Sequence, residues 1–417
     1  MTGDALHMWP ASRVPVALVA VVPLAGCGKD APSATVPVVA IDSAGMQIVT
    51  SDPSASDRWC TLAEEPSFSV GTAEGDDAYM LYFVRGANRL SDGSVAILDN
   101  GTGQIRIFSD EGVHLRSMGG HGDGPGEFRI GRYIWVLPGD TLWVGDYRPW
   151  RFHIFSSSGE FSRTVNLDPQ YFNASEGGGI LANGTSVNMR SPFSAPGDDF
   201  QHPEPLFVEA HAADGTLIRE LAALAGVRQG SWEGASVRMS TLFDPTPAVA
   251  AAGTTIAITT AREPEVRILD EHFNLHRVVR WSERDREVTS AHVQAYRDRV
   301  VERRGGRGSE NQSTIDEDVT SDRRPTAEMF PTAAGLMVGR DSRLWVRRYR
   351  RLGEEVRWLA FGPRGDFQCH LTLDESLTVY EFGADYLLAV HADELGVERV
   401  VEYELRVPDA AGSSPSQ

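Results

Sequence analysis

The chain has 417 residues, 41% of them hydrophobic and 9% aromatic, enough apolar mass for one large all-β core or two ordinary ones. Its 58 acidic and 39 basic residues leave a formal charge of −19, which argues against a nucleic-acid partner, because phosphate binding needs clustered Lys and Arg. Lys29 is the only lysine, so a Schiff-base lysine, a P-loop lysine and a Ser–Lys dyad are excluded from the folded body.

The N-terminus carries the first signal. Arg13 precedes an apolar run from Val14 to Leu24, and Ala25-Gly26-Cys27 follows. A positive residue, a short apolar run and small residues make residues 1–26 a secretory signal too short to span a membrane. The ending Leu24-Ala25-Gly26-Cys27 resembles the bacterial lipobox. That resemblance implies cleavage before Cys27, lipid on its thiol, and a protein anchored outside the cytoplasm on a periplasmic or outer-membrane face. An ordinary secretory signal with a chance cysteine is the plain alternative. Residues 27–37 are small, polar and proline-bearing, as expected of a flexible tether.

Val38–Ile41 and Met46–Val49 flank a turn at Asp42–Gly45, and Trp59–Val70 reads as another extended piece. From Val84 a unit of four short strands begins: Val84–Leu90, Val95–Leu98, Ile105–Phe108 and His114–Met118, punctuated by Asp92-Gly93, Asp99-Asn100-Gly101 and Glu111-Gly112. The next unit has Tyr133–Leu137, Leu142–Val144 and Phe152–Phe155. Asp99 and Asp146 are 47 residues apart, as are Phe108 and Phe155. Four strands at a period near 45 are propeller-like.

A looser third unit covers Gly179–Leu221 and places a long polar loop at Arg190–Pro205. A fourth runs from Ala248 to Trp281, a fifth from Gly335 to Leu373 and a sixth from Leu377 to Arg406. Between the fourth and fifth, residues 283–326 break the period. Glu283–Arg304 lacks Gly and Pro, and Val288, Ala291-His292, Ala295-Tyr296 and Arg299-Val300 share one helical face. Arg307–Arg324 reads as a charged mobile loop, and 407–417 as a disordered tail. The sixth unit shows three strands, so an N-terminal segment, 38–49 or 59–70, is expected to close the ring.

The sequence Asp92-Gly93, Asp99, Ile105-Arg106-Ile107-Phe108, Gly112 and Gly122-Asp123-Gly124-Pro125-Gly126-Glu127-Phe128 resembles NHL-type six-bladed β-propellers. More narrowly, the chain over about 40–405 is similar to bacterial lipoproteins of the "6-bladed beta-propeller" family. The resemblance implies an all-β, six-bladed propeller of four-stranded antiparallel blades over residues 38–406, and no established reaction.

In such a meander the loops after second strands share one face with the between-blade crossovers. The candidate ligand-binding residues there are Asp99, Asp146, Arg148, Arg347, Arg348 and Tyr349, with the helical insert as a partial lid. The plainer reading is that these aspartates cap turns and pair with arginines. His121-Gly122-Asp123 fits a positive-φ crossover better than a metal pair. Trp143 and Trp345 fit interblade packing better than an aromatic cage. Cys60 and Cys369 are 309 residues apart, which leaves a disulfide open, with two separate buried thiols preferred. No metal site or cofactor is assigned. The expected role is a membrane-tethered module binding an envelope protein, peptide or glycan at the channel mouth. The alternative is a calcium- or zinc-dependent hydrolase or lyase with its site in the central channel.

Overall fold

The computed structural model describes residues 39–43, 45–171, 176–191, 199–235, 237–304 and 317–408. The expected signal peptide, Cys27, the tether and the end of the tail lie outside these residues.

Apart from one short 3-10 turn, one long helix and a helical turn at 317–320, inside the stretch expected to be a mobile loop, the described secondary structure is strand. The N-terminal strands are β1 (Val39–Ser43), β2 (Met46–Ser51), β3 (Thr61–Leu62) and β4 (Phe68–Val70). Four-stranded antiparallel meanders follow. The first is β5 (Val84–Arg89), β6 (Val95–Asp99), β7 (Gln104–Phe108) and β8 (His114–Gly119). The second is β9 (Gly131–Leu137), β10 (Thr141–Asp146), β11 (Arg151–Phe155) and β12 (Phe161–Asn166). Next come β13 (Glu176–Ile180), β14 (Ser186–Arg190), β15 (Asp199–His211) and β16 (Leu217–Gly230), with a short β17 (Met239–Ser240) on its edge. β18 (Ala248–Ala252), β19 (Thr255–Thr259), β20 (Glu265–Leu269) and β21 (Leu275–Trp281) then lead into α1 (Ser290–Arg304). The last strands are β22 (Gly335–Val338), β23 (Leu344–Arg347), β24 (Val356–Phe361), β25 (Phe367–Leu373), β26 (Leu377–Phe382), β27 (Tyr386–Ala392) and β28 (Glu398–Arg406).

Each meander packs its first strand on the first strand of the next: β5 on β9, then β13, β18, β22 and β26, with β26 returning to β5. This is a β-propeller arrangement. The hydrophobic core is divided accordingly, since each buried cluster lies between two neighbouring meanders. Leu98, Ile105, Phe128, Val144 and Phe155 fill one such interface, and Val84, Ile97, Phe108, Leu388 and Val400 join the last meander to the first. Each fully buried Leu, Ile or Phe stabilises by roughly 1.5–3 kcal/mol. Trp143 and Trp345 belong to this packing; Trp345 stacks on Phe382 with ring centroids 3.9 Å apart.

The two N-terminal segments have separate fates. β4 pairs with β28, Val70 opposite Val400 and Phe68 opposite Glu402, and so supplies the outer strand of the last meander. β3 adds to the same strand, Leu62 opposite Leu405. The β1–β2 hairpin instead extends the fourth meander, β2 running parallel to β21 from Gln47–Arg277 to Ser51–Trp281. Cys60 and Cys369 are joined in a disulfide, Cα atoms 5.4 Å apart, where separate thiols were the preferred reading. Pairing of β3 with β28, and of the Cys60 N–H with the His370 carbonyl at 2.8 Å, brings the two cysteines together.

Two expectations are corrected. The segment Arg190–Pro205 is not loop throughout: β15 begins at Asp199 and forms a long hairpin with β16, irregular in register between Asp199 and Pro205. Its prolines and charges obscured a strand whose partner, not its composition, holds it extended. Helix begins at Ser290 rather than Glu283; residues 283–289 are irregular, with Asp285 at φ of +56° and the Val288 N–H donating to the Glu328 carbonyl at 2.8 Å.

Candidate binding face and the cleft beside the helix

The second-strand ends are built around buried carboxylates. Asp99 closes β6 and is inaccessible to solvent. Its carboxylate accepts from the Tyr82 N–H at 3.3 Å, the Gly101 N–H at 3.0 Å and the Thr102 hydroxyl at 3.0 Å. Arg106, also buried, lies 3.0 Å from it and donates to the carbonyls of Asp77, Ala78 and Met80 at 2.8, 3.0 and 2.8 Å. This clamp fixes the segment that leads into the first meander.

Asp146 repeats the device at the end of β10. It accepts from the Ile130 N–H at 2.9 Å and from the Arg151 guanidinium at 3.0 and 2.9 Å, with His153 Nε2 at 3.5 Å. Burial pushes its carboxyl up, and the nearby His153 together with hydrogen bonds from Ile130 and Arg151 outweigh that and hold it below the usual carboxylate range. In the third meander Arg190 stands at the register position of Asp99 and Asp146, and Asn188, two residues before it, accepts from Trp150 Nε1 at 2.8 Å and contacts His211 Nδ1 at 3.3 Å. Burial, with the nearby Arg190 charge, pushes the His211 imidazole down to about 4. Arg190 donates to Glu209 at 2.6 and 3.2 Å, the Tyr171 hydroxyl donates to the same carboxylate, and burial pushes the Glu209 carboxyl up.

The clamps leave their crossovers facing solvent with large side chains. Tyr82 is 61% exposed, Phe83 47% and Ile130 42%. Phe83 has φ of +56°, a left-handed conformation costly for an aromatic residue. Tyr82 and Phe83 meet edge-on at 4.4 Å. Exposed arginines lie among them: Arg85 sits over Phe83 at 5.5 Å, and Arg132 and Arg148 both sit over Tyr147, at 5.1 and 5.0 Å. Among the described residues Arg85 and Arg148 have no acidic partner.

The other predicted residues have different neighbours. Arg347 donates to the Ala334 carbonyl at 3.1 Å and Arg348 pairs with Glu283. Tyr349 is half-buried against Phe330, ring centroids 5.7 Å apart. A cleft of about 420 Å³ opens there between α1 and the 349–354 loop, walled by Phe243, Tyr296, Phe330, Tyr349 and His292. The α1 side is the face that sequence periodicity marks: His292, Ala295, Tyr296, Arg299 and Val300. Phe243 and Phe330 were missed, because they sit singly in crossovers with no periodic pattern around them.

The glycine-rich crossover is structural. The Gly124 N–H donates to the Glu127 carboxylate at 2.9 Å, a Cβ at Gly122 would collide with that carboxylate, and Phe128 is wholly buried. Asp123 pairs with Arg129 through two bonds of 2.7 Å, and His121 Nε2 faces the Gly101 carbonyl. Among the described residues no three His, Cys, Asp or Glu side chains are grouped to hold a metal, and no helix is long and apolar enough to cross a membrane.

No protein-family model and no curated protein matches the chain. Solved structures similar to it include a Bacteroides fragilis protein assigned as exported (11% identity, 84% of this chain and 96% of that one, TM-score 0.49). A Bacteroides vulgatus member of the DUF4221 family is 9% identical over 85% of this chain and 100% of that one, TM-score 0.47. The calcium-binding protein regucalcin from Agrobacterium tumefaciens is 10% identical over 79% and 93%, TM-score 0.36. Likeness at this level carries no functional argument, and the fold rests on the strand pairing.

Proposed function

We propose that this chain is a six-bladed propeller of the NHL-like lipoprotein type, tethered outside the cytoplasm through Cys27, that binds a protein, peptide or glycan on the face carrying Tyr82, Phe83 and Ile130. The observation that carries the reading is this exposed aromatic patch, held by two buried aspartate clamps and mixed with arginines. Exposed contiguous rings of this kind mark interaction sites, and Tyr and Arg are enriched where binding energy concentrates. A locally cationic, aromatic surface on a chain of net charge −19 suits a partner offering apolar or planar surface with carboxylates. The disulfide between Cys60 and Cys369 fits an oxidising compartment. The lone pairs of Asp99 and Asp146 are committed to N–H and guanidinium donors, which speaks against the metal-dependent alternative at these positions.

A photo-crosslinking amino acid placed at position 82 of the full chain tests the proposal in cells. A discrete adduct is expected there, and none from the same probe at Val113, 52% exposed in the β7–β8 turn at the opposite end of its meander. Identical adduct patterns at both positions, or no adduct at position 82, would overturn it.

A further inference from the structure

We propose that the cleft between α1 and the 349–354 loop is a separate small-molecule site, shaped for a monoanion with a flat apolar or aromatic body and a carboxylate head. It uses none of the residues of the Tyr82–Phe83 face, so either reading can fail without the other.

The cleft, about 420 Å³, falls in the range that encloses a small organic ligand. Its walls are mainly rings, with the aliphatic Ala295, Val300 and Leu352 between them. Phe330 stands at the centre: Tyr349 stacks on it at 5.7 Å and 28°, Phe243 tilts against it at 5.0 Å and His292 meets it edge-on at 4.9 Å. Such a cage presents ring faces and edges to a flat guest.

The polar groups supply the sign of the charge. Arg351 sits over the Phe330 ring at 5.3 Å while paired with Glu354 at 3.1 Å, and Arg350 is paired with Glu375 at 2.8 Å. Arg299, on the α1 side, has no acidic partner among the described residues. A planar guanidinium with free donors is matched by a carboxylate, which takes two parallel hydrogen bonds. Burial, with Tyr296 alongside, pushes the Tyr349 hydroxyl up, so it remains a neutral donor near neutral pH. Glu354, the acid on the rim, is already neutralised by Arg351. One unspent cation beside a ring cage selects an aromatic acid over its neutral or cationic counterpart.

The test is calorimetric titration of the full chain with 2-naphthoate, 2-naphthol and 2-naphthylmethylammonium. Naphthoate is expected to bind with a dissociation constant of about 1 mM or tighter, the neutral probe roughly tenfold more weakly and the cation not measurably. Arg299→Gln, on an exposed helix position, is expected to remove the preference for the acid. Ala295→Trp, which fills the cleft without removing a contact, is expected to abolish binding of naphthoate and naphthol with an unchanged melting temperature. No binding of naphthoate, equal binding of the three probes, or naphthoate binding that survives both substitutions would each overturn the proposal. Loss of the adduct at Tyr82 would leave it standing.

Discussion

The Arg106 guanidinium lies 3.0 Å from the Asp99 carboxylate, and neither side chain is reached by solvent. Desolvating both ions is expensive, and much of the cost is offset by their partners: four donors reach the carboxylate and three backbone carbonyls accept from the guanidinium, although its Nε is left without a partner. Removing one member strands the other. Arg106→Met should therefore destabilise by about 3–5 kcal/mol, more than Asp99→Asn, which keeps an acceptor oxygen. Urea unfolding of the two variants checks the order; equal, small losses would show that the clamp contributes little.

The third meander makes a pH prediction. His211 is buried with its pKa near 4, against 6.5 when unfolded. Between these values the unfolded chain binds the extra proton. Stability is thus unaffected above pH 6.5 and falls as pH drops from 6.5 toward 4, by on the order of 3 kcal/mol in all. In His211→Gln that slope should flatten, as read from denaturant midpoints at pH 7, 6, 5 and 4. An unchanged slope would place the acid sensitivity elsewhere.

Much of this was legible in the sequence because four-stranded repeats announce themselves through turn residues. Asp92-Gly93 and Asp99-Asn100-Gly101 bracket β6 within a residue. The 47-residue spacing of Asp99 and Asp146 marks a shared device, although only the structure shows both carboxylates buried in structural clamps. Pairing across long separations was not legible. Nothing local distinguishes β2, which lies beside β21, from β4, which completes the last meander, because both read as short apolar strands. The cleft was half legible: the α1 face has a 3.6 period, whereas Phe243 and Phe330 come from crossovers.

Ring closure can be tested through β4. Ser69 lies opposite Val401, so Ser69→Pro removes a ladder position in a short closing strand and should cost roughly 3 kcal/mol. Ile41→Thr, on the 54% exposed β1 edge, should cost under about 0.5 kcal/mol. A larger loss for Ile41→Thr would mean that the β1–β2 hairpin, not β4, secures the ring.

The disulfide closes a loop spanning most of the chain, and such loops stand to gain most from a cross-link. The Cys60→Ser, Cys369→Ser pair should lower unfolding free energy by about 2–5 kcal/mol. Reductant should produce the same loss in the parent and none in the variant. A parent insensitive to reductant would contradict the link.

Under the tethering proposal, Cys27→Ser should abolish incorporation of labelled fatty acid and release the chain from the membrane fraction, while the disulfide still forms. Labelling that persists in the variant would remove Cys27 as the anchor.

The central claim is that the acids behind the exposed aromatic face are internal clamps serving a binding surface and not ligands of a catalytic metal. Metal content of the full chain, purified without chelator, tests it most directly, together with melting curves of the parent and Asp146→Asn in EDTA or added calcium or zinc. The account predicts no stoichiometric metal, superimposable curves for the parent, and a lower melting temperature for Asp146→Asn that no added metal changes. One equivalent of calcium or zinc per chain, lost in Asp146→Asn and matched by a drop in the parent's melting temperature in EDTA, would contradict it.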